Sequence, residues 1–149
     1  MDKTFNQDIE LSLKLFIVLN RALESVRKQV IKDIKNYNLN LTEFAVLELL
    51  YHKGDQPIQK IGDKVLLASS SITYVVDKLE KKNLIERKPC PTDRRITYAV
   101  LTEKGAEFMD DIFPKHAASL RKIFAGLDTE EKAIVIEHLK KLGLYAEKL

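Results

Sequence analysis

Apolar residues recur at helical spacing along most of the chain. Ile9, Leu13, Phe16, Leu23, Val30, Ile34 and Tyr37 fall three, four or seven positions apart, the stripe of a helix over residues 8–37. Leu11, Leu15, Val18 and Ala22 form a second stripe beside it. A helix apolar on so much of its surface must bury two faces: one suits its own domain, the other a second subunit. Residues 38–42 break the pattern, and Thr42 is the predicted N-cap of a helix to about His52, with Phe44, Leu47 and Leu50 or Tyr51 turned inward. Residues 53–57 read as a loop. Ile58, Ile61 and Val65 space a short helix, and Leu67, Ala68 and Ser69 turn the chain.

Ser69 or Ser70 is placed to cap the next helix, to about Lys82. Its buried side is Ile72, Val75, Val76 and Leu79, leaving Ser70, Ser71, Thr73, Tyr74, Asp77 and Lys78 outward. Asn83 tolerates the left-handed turn that ends a helix. Two β-prone runs follow, 84–88 and 96–101, joined by residues 89–95 with two prolines and an Asp. That composition predicts a hairpin with Arg94 and Arg95 at its tip. Thr102 caps a further helix with Phe108, Ile112 and Leu120 on its apolar side; Pro114 is expected to kink or interrupt it, and Gly126-Leu127 to end it. Asp128 and Glu131 have capping-box spacing. Val135, Leu139 and Leu142 carry a last helix to about Ala146. The fold class is therefore mostly α (α+β), with three short helices and a hairpin flanked by long amphipathic helices.

Length and composition narrow the function classes. The chain has 149 residues, 45% hydrophobic and 32% charged, which fits one globular domain over 1–149 and excludes a disordered tail. No run approaches the roughly 18 apolar residues of a membrane span, and residues 1–8 lack a signal-peptide pattern, so a cytoplasmic protein without a membrane partner is expected. The single Cys90 permits no internal disulfide and no thiolate metal site. His52, His116 and His138 lack metal-ligand spacing. There is no Gly-rich phosphate loop, nucleophile elbow or apolar carboxylate pair. These readings predict neither an enzyme nor a cofactor.

Charge is informative through its position. The net charge is +3. Between Lys78 and Arg95 there are seven cations (Lys78, Lys81, Lys82, Arg87, Lys88, Arg94, Arg95) against Glu80, Glu86 and Asp93. That local surplus exceeds the whole chain's, as a polyanion contact requires. A short helix, a turn, a second helix and a basic hairpin make the layout of a winged helix-turn-helix. A helix starting with small polar residues can enter a DNA major groove about 12 Å wide. Ser69, Ser70, Ser71, Thr73, Tyr74 and Lys78 are the candidate contacts on that helix. Tyr74 can touch a thymine methyl or instead cover the core. Lys81, Lys82, Arg87 and Lys88 are candidate phosphate contacts. Arg94 or Arg95 can enter a narrow minor groove, with Asp93, which repels phosphate, orienting an arginine. Asp77 is expected to pair with a cation of its own domain. The rival reading is a winged-helix module whose basic face binds an acidic protein partner or serves an architectural role.

Four segments carry a family resemblance: residues 71–80, Leu84-Ile85-Glu86-Arg87, Asp93-Arg94-Arg95 and Leu101-Thr102-Glu103-Lys104-Gly105. In order and spacing they resemble the recognition helix, wing and following helix of MarR-type transcriptional regulators. Asn83 stands where a glycine is common in that family. The resemblance implies a homodimer built from helices over about 8–37 and 103–146, with a winged helix-turn-helix over about 42–101. It implies binding to double-stranded DNA at a pseudo-palindromic operator, usually as a repressor, and release by a small aromatic, phenolic or quinone-like effector. Carried over by motif, Ser70, Ser71 and Thr73 face bases, Arg94 or Arg95 enters the minor groove and Asp93 braces it. Phe16 and Asn20 are candidate effector contacts, Asn20 equally reading as a polar packing device between helices. One branch of the family senses oxidants through a cysteine near the N-terminus, where this chain has none. Cys90, beside Lys88 and Arg87, leaves a thiol-based redox-sensing repressor as a second alternative.

Overall fold

Helix boundaries follow local capping chemistry. The computed structural model describes residues 5–65 and 69–149, the side chains of residues 69 and 70 excepted. Helix α1 (Gln7–Lys35) starts where the Asn6 side chain accepts from the Ile9 N–H at 2.9 Å. Acidic residues in its first turn and lysines in its last oppose the helix dipole. Helix α2 (Leu41–Lys53) is capped by Asn40 rather than by the expected Thr42. Asn40 Oδ1 accepts from the Glu43 N–H at 2.8 Å while Glu43 Oε1 accepts from the Asn40 N–H at 3.0 Å. This reciprocal box satisfies two donors that a lone Thr42 hydroxyl could not.

The segment read as a loop contains a strand, β1 (Gln56–Pro57), too short to show any periodicity. Helix α3 (Ile58–Val65) follows, and the expected turn at 66–68 lies outside the described residues. Helix α4 spans Ser69–Lys81. Asn83 then adopts a left-handed φ of 62° and turns the chain into β2 (Ile85–Pro89), which pairs antiparallel with β3 (Thr97–Leu101). β1 joins on the other side of β3, giving a three-stranded sheet in the order β1-β3-β2. Thr102 caps α5 (Glu103–Ile123), its hydroxyl accepting from the Gly105 N–H and donating to the Asn83 carbonyl. Of the two expected effects of Pro114, an interruption is not seen: α5 runs on through it from Glu103 to Ile123. A proline removes only one helix hydrogen bond, and Met109, Ile112 and His116, buried on either side of it, hold α5 against the core. Asp128 and Glu131 cap α6 (Thr129–Glu147) as expected.

One core joins the end of α1 to α2, α3, α4, the hairpin and the first half of α5. Ile34, Val46, Leu47, Ile61, Val76, Leu79, Ile85, Ala99 and Met109 are almost fully buried in it. The expected inner face of α4 is all there: Ile72, Val75, Val76 and Leu79. Outside this core the two ends of the chain stand apart. The apolar side chains of α1 from Ile9 to Leu23 are exposed, and α6 has no buried residue.

Gly105 marks the closest approach between helix and wing. A Cβ there would lie 2.1 Å from the Leu84 carbonyl oxygen, which also accepts from the Thr102 N–H. Backbone cannot yield as a side chain can. Gly105→Ala is expected to destabilise the fold by about 1–3 kcal/mol, read as a lowered midpoint in chemical denaturation. An unchanged midpoint would show that α5 can shift freely against the wing.

Candidate nucleic-acid interface

The core side of α4 fixes which residues it presents outward. With Ile72, Val75, Val76 and Leu79 packed inside, Ser71, Thr73 and Tyr74 are exposed and Lys78 half-exposed. Tyr74 is 63% exposed, which removes the alternative that it covers the core. The Lys78 ammonium lies 5.4 Å from the centre of its ring, a cation–π contact. The face is thus small, hydroxylated and aromatic, with a cation one turn further on.

The wing is built around Asp93. Its carboxylate accepts from the Arg95 backbone N–H at 3.0 Å, from Nε at 3.1 Å and from Nη2 at 3.1 Å. The loop is closed by the Cys90 N–H donating to Ile96 O and the Ile96 N–H donating to Asp93 O, and Gln59 of α3 reaches the Arg95 carbonyl at 3.2 Å. The Arg95 side chain hydrogen bond, then its backbone N–H, hold the Asp93 carboxyl below its usual range. Arg95 remains 90% exposed, whereas Asp93 is only 32% exposed. The guanidinium is therefore oriented by a charged partner yet open to solvent. Arg94 is exposed and has no ion-pair partner among the described residues.

The expected phosphate contacts divide. Lys81 is exposed at the end of α4. Lys82 turns to the body of the protein, 3.0 Å from both the Asn38 carbonyl and the buried Glu43 carboxylate. Arg87 donates to Asp77 at 2.6 Å and to Glu80 at 2.5 Å, so Asp77 has its cation. Lys88 makes an exposed pair with Glu86 at 3.3 Å. The side chains of Ser69 and Ser70 lie outside the described residues. Part of the basic surplus is thus consumed within the protomer, which a count of charges could not reveal.

Phe16 is 70% exposed on the outer half of α1, and Asn20 donates to the Phe16 carbonyl at 2.7 Å. The thiol of Cys90 is half-exposed, with Sγ 3.3 Å from the Thr92 hydroxyl. Hydrogen bonds lower its pKa, from the Thr92 side chain first and then from the backbone N–H groups of Thr92 and Asp93. Neither neighbouring cation is among these causes: Lys88 pairs with Glu86, and Arg87 with Asp77 and Glu80.

Sequence reasoning missed a buried polar junction. His116 of α5 and Asp33 of α1 are both buried, with Nδ1 2.7 Å from Oδ2, and Tyr37 donates to Asp33 at 2.9 Å. Phe44 packs on the imidazole at 4.4 Å between ring centres. Burial pushes the Asp33 carboxyl up, but hydrogen bonds from His116, Ser119 and Tyr37 outweigh it and hold the group below its usual range. The same junction pushes Tyr37 to about 12, through burial and then its bond to Asp33. A polar residue on an apolar stripe was the only signal in the sequence. Asp33→Ala is expected to cost about 1–3 kcal/mol by leaving buried donors unpaired. Because Asp33 is depressed, its contribution is present above about pH 4 and lost as pH falls through its folded pKa. Wild type should therefore lose its advantage over the variant on acidification, measured by denaturation at pH 7 and pH 3; a constant gap would remove Asp33 as the source. Among the described residues, no three His, Cys, Asp or Glu side chains converge to hold a metal ion, and no helix is long and apolar enough to cross a membrane.

Known proteins resemble this chain over most of its length. The pattern of the MarR family matches residues 39–97. The chain is 59% identical over 138 residues to the HTH-type transcriptional regulator MhqR of Bacillus subtilis, covering 93% of this chain and 95% of that protein. This chain belongs to the MarR family. MarR-family proteins are transcriptional regulators rather than enzymes, and the matched span holds α2 to the wing, the region that presents the exposed face of α4 and the arginine pair. The transcriptional repressor MprA of Escherichia coli is 31% identical over 138 residues, covering 91% of this chain and 76% of MprA. The fold is also that of Sco3205, a MarR family regulator of Streptomyces coelicolor solved in complex with DNA, at a TM-score of 0.79 and 17% identity over 95% of this chain and 89% of that one.

Proposed function

We propose that this MarR-family regulator is a cytoplasmic, homodimeric repressor that reads a pseudo-palindromic operator. The observations that carry the reading are the exposed hydroxyl and aromatic face of α4 and the exposed, Asp93-oriented Arg95 of the wing that follows it. Ser71, Thr73 and Tyr74, with Ser69 and Ser70 at the helix start, would meet base edges; Lys78 and Lys81 would meet phosphates; Arg95 or Arg94 would enter the minor groove. Residues 42–101 are the DNA-binding part, and 8–37 and 103–146 the dimerisation part. The exposed apolar arms support the dimer: Ile9 to Leu23 of α1, and Val135, Ile136 and Leu139 of α6, which with Leu120 of α5 and Phe124 just after it line a groove of about 510 Å³. Surfaces of this kind mark partner sites. Repression is the sign borne in the name of MprA.

An aromatic, phenolic or quinone-like effector fits the same arrangement, with Phe16 and Asn20 as contacts once a partner covers the arm. Such a molecule releases DNA only by binding one dimer geometry better than the other. Fluorescence anisotropy should show tight binding to the duplex upstream of its own gene and weak binding to a scrambled duplex across a salt series. Equal, steeply salt-dependent binding to both would instead favour the architectural or partner-binding module.

A further inference from the structure

The wing and α4 are joined covalently only by the tight turn at residues 82–84, where Asn83 is left-handed. A turn of that length can act as a hinge, yet two DNA-contacting elements must keep a fixed separation to fit two grooves at once. Arg87 spans this turn. From β2 its Nη2 reaches Asp77 at 2.6 Å and its Nη1 reaches Glu80 at 2.5 Å, both on α4. Asp77 and Glu80 are three residues apart, so both carboxylates lie on one side of the helix. A planar guanidinium can bind two such acceptors at once, which an ammonium cannot do with the same geometry. The arginine is the most covered of the three, at 30% exposure.

We propose that Arg87 is a positioning residue that clamps α4 to the wing, so that both meet DNA as one rigid unit, and that it is not a phosphate contact. The inference rests on the reading of α4 and the wing as the DNA interface. Charge supports it. Two carboxylates around one guanidinium leave the cluster negative, which repels phosphate and has no use on a surface serving only to attract it. The neighbouring ties have the same sense: Thr102 bonds to the Asn83 carbonyl at 2.6 Å, and Lys104 to the Lys82 carbonyl at 3.2 Å. Helix α5 thus braces the turn while Arg87 braces the two elements beyond it.

The test uses the full-length protein, a duplex selected by it from a random-sequence pool, and a scrambled duplex of equal length. Arg87→Ala should weaken binding to the selected duplex by about tenfold, with the slope of log affinity against log salt unchanged. The paired change Asp77→Asn with Glu80→Gln adds positive charge, yet should also weaken selected binding while scrambled binding holds or rises. Both variants should keep the wild-type dimer and a cooperative thermal transition. The clamp is overturned if Arg87→Ala lowers the salt slope by about one, as the loss of a phosphate contact would, or if the neutralised pair binds the selected duplex more tightly. Unchanged binding in both variants overturns it equally. If no sequence emerges from the pool, the operator-binding reading fails first, an outcome distinct from failure of the clamp alone.

Discussion

Ending the chain after Gly126 is expected to abolish the dimer and to lower operator affinity by about 10²–10⁴. Helix α6 turns its apolar residues outward. Ile134, Val135, Ile136, Leu139, Leu142, Leu144 and Tyr145 are all exposed, and no residue of the helix is buried. A nineteen-residue helix with no buried residue gains little stability from its own chain and most from a partner. Its removal leaves the core of α2 to α5 intact, since none of that core comes from α6. The loss should therefore fall on assembly. Each isolated subunit would then meet its half-site without the second half-site held close by. Sedimentation separates the states, and anisotropy reads the affinity. A truncated chain that remains dimeric would place the interface elsewhere and overturn the assignment of α6.

Substitution of the wing arginines carries the next largest effect. Arg95→Ala is expected to cost about 1–3 kcal/mol of specific DNA binding with the dimer intact. Arg94→Ala should cost less. Both are exposed, but only Arg95 is aimed, by two side-chain hydrogen bonds to Asp93. An oriented guanidinium loses less freedom on entering a groove than a free one. Asp93→Ala should weaken specific binding in the same direction although it removes a negative charge from a DNA-facing loop. If both arginine variants bind as wild type does, the wing does not touch DNA. If Arg94→Ala has the larger effect, the Asp93 fork holds Arg95 away from the groove instead of presenting it.

Local patterning was legible where a short stretch of sequence settles its own structure. The inner face of α4, the left-handed Asn83, the Thr102 cap and the Asp128–Glu131 box each depend on residues within a few positions of one another. The same holds for the Asp93-Arg94-Arg95 tip, whose hydrogen bonds close over two residues. Where two local signals competed, the sequence was ambiguous: Asn40 and Thr42 both suit a cap, and Asn40 prevails because Glu43 completes the reciprocal pair. Strand β1 left no trace, because two residues have no period and exist as a strand only by pairing with β3.

By itself, then, the sequence determined the helices, the hairpin, the basic stretch, the family and the surplus of apolar surface at both ends of the chain. These are properties of spacing and composition, and hydrophobic periodicity records them directly. Only the tertiary structure decided which charges remain available to DNA. Lys82 and Arg87 read as equivalent to Lys81 in the sequence, yet Glu43 lies 39 residues from Lys82, and Asp77 and Glu80 lie across a turn from Arg87. The same is true of His116 and Asp33, 83 residues apart and in contact. Ion pairs form between residues that folding brings together, and their distance along the chain carries no periodicity from which to read them.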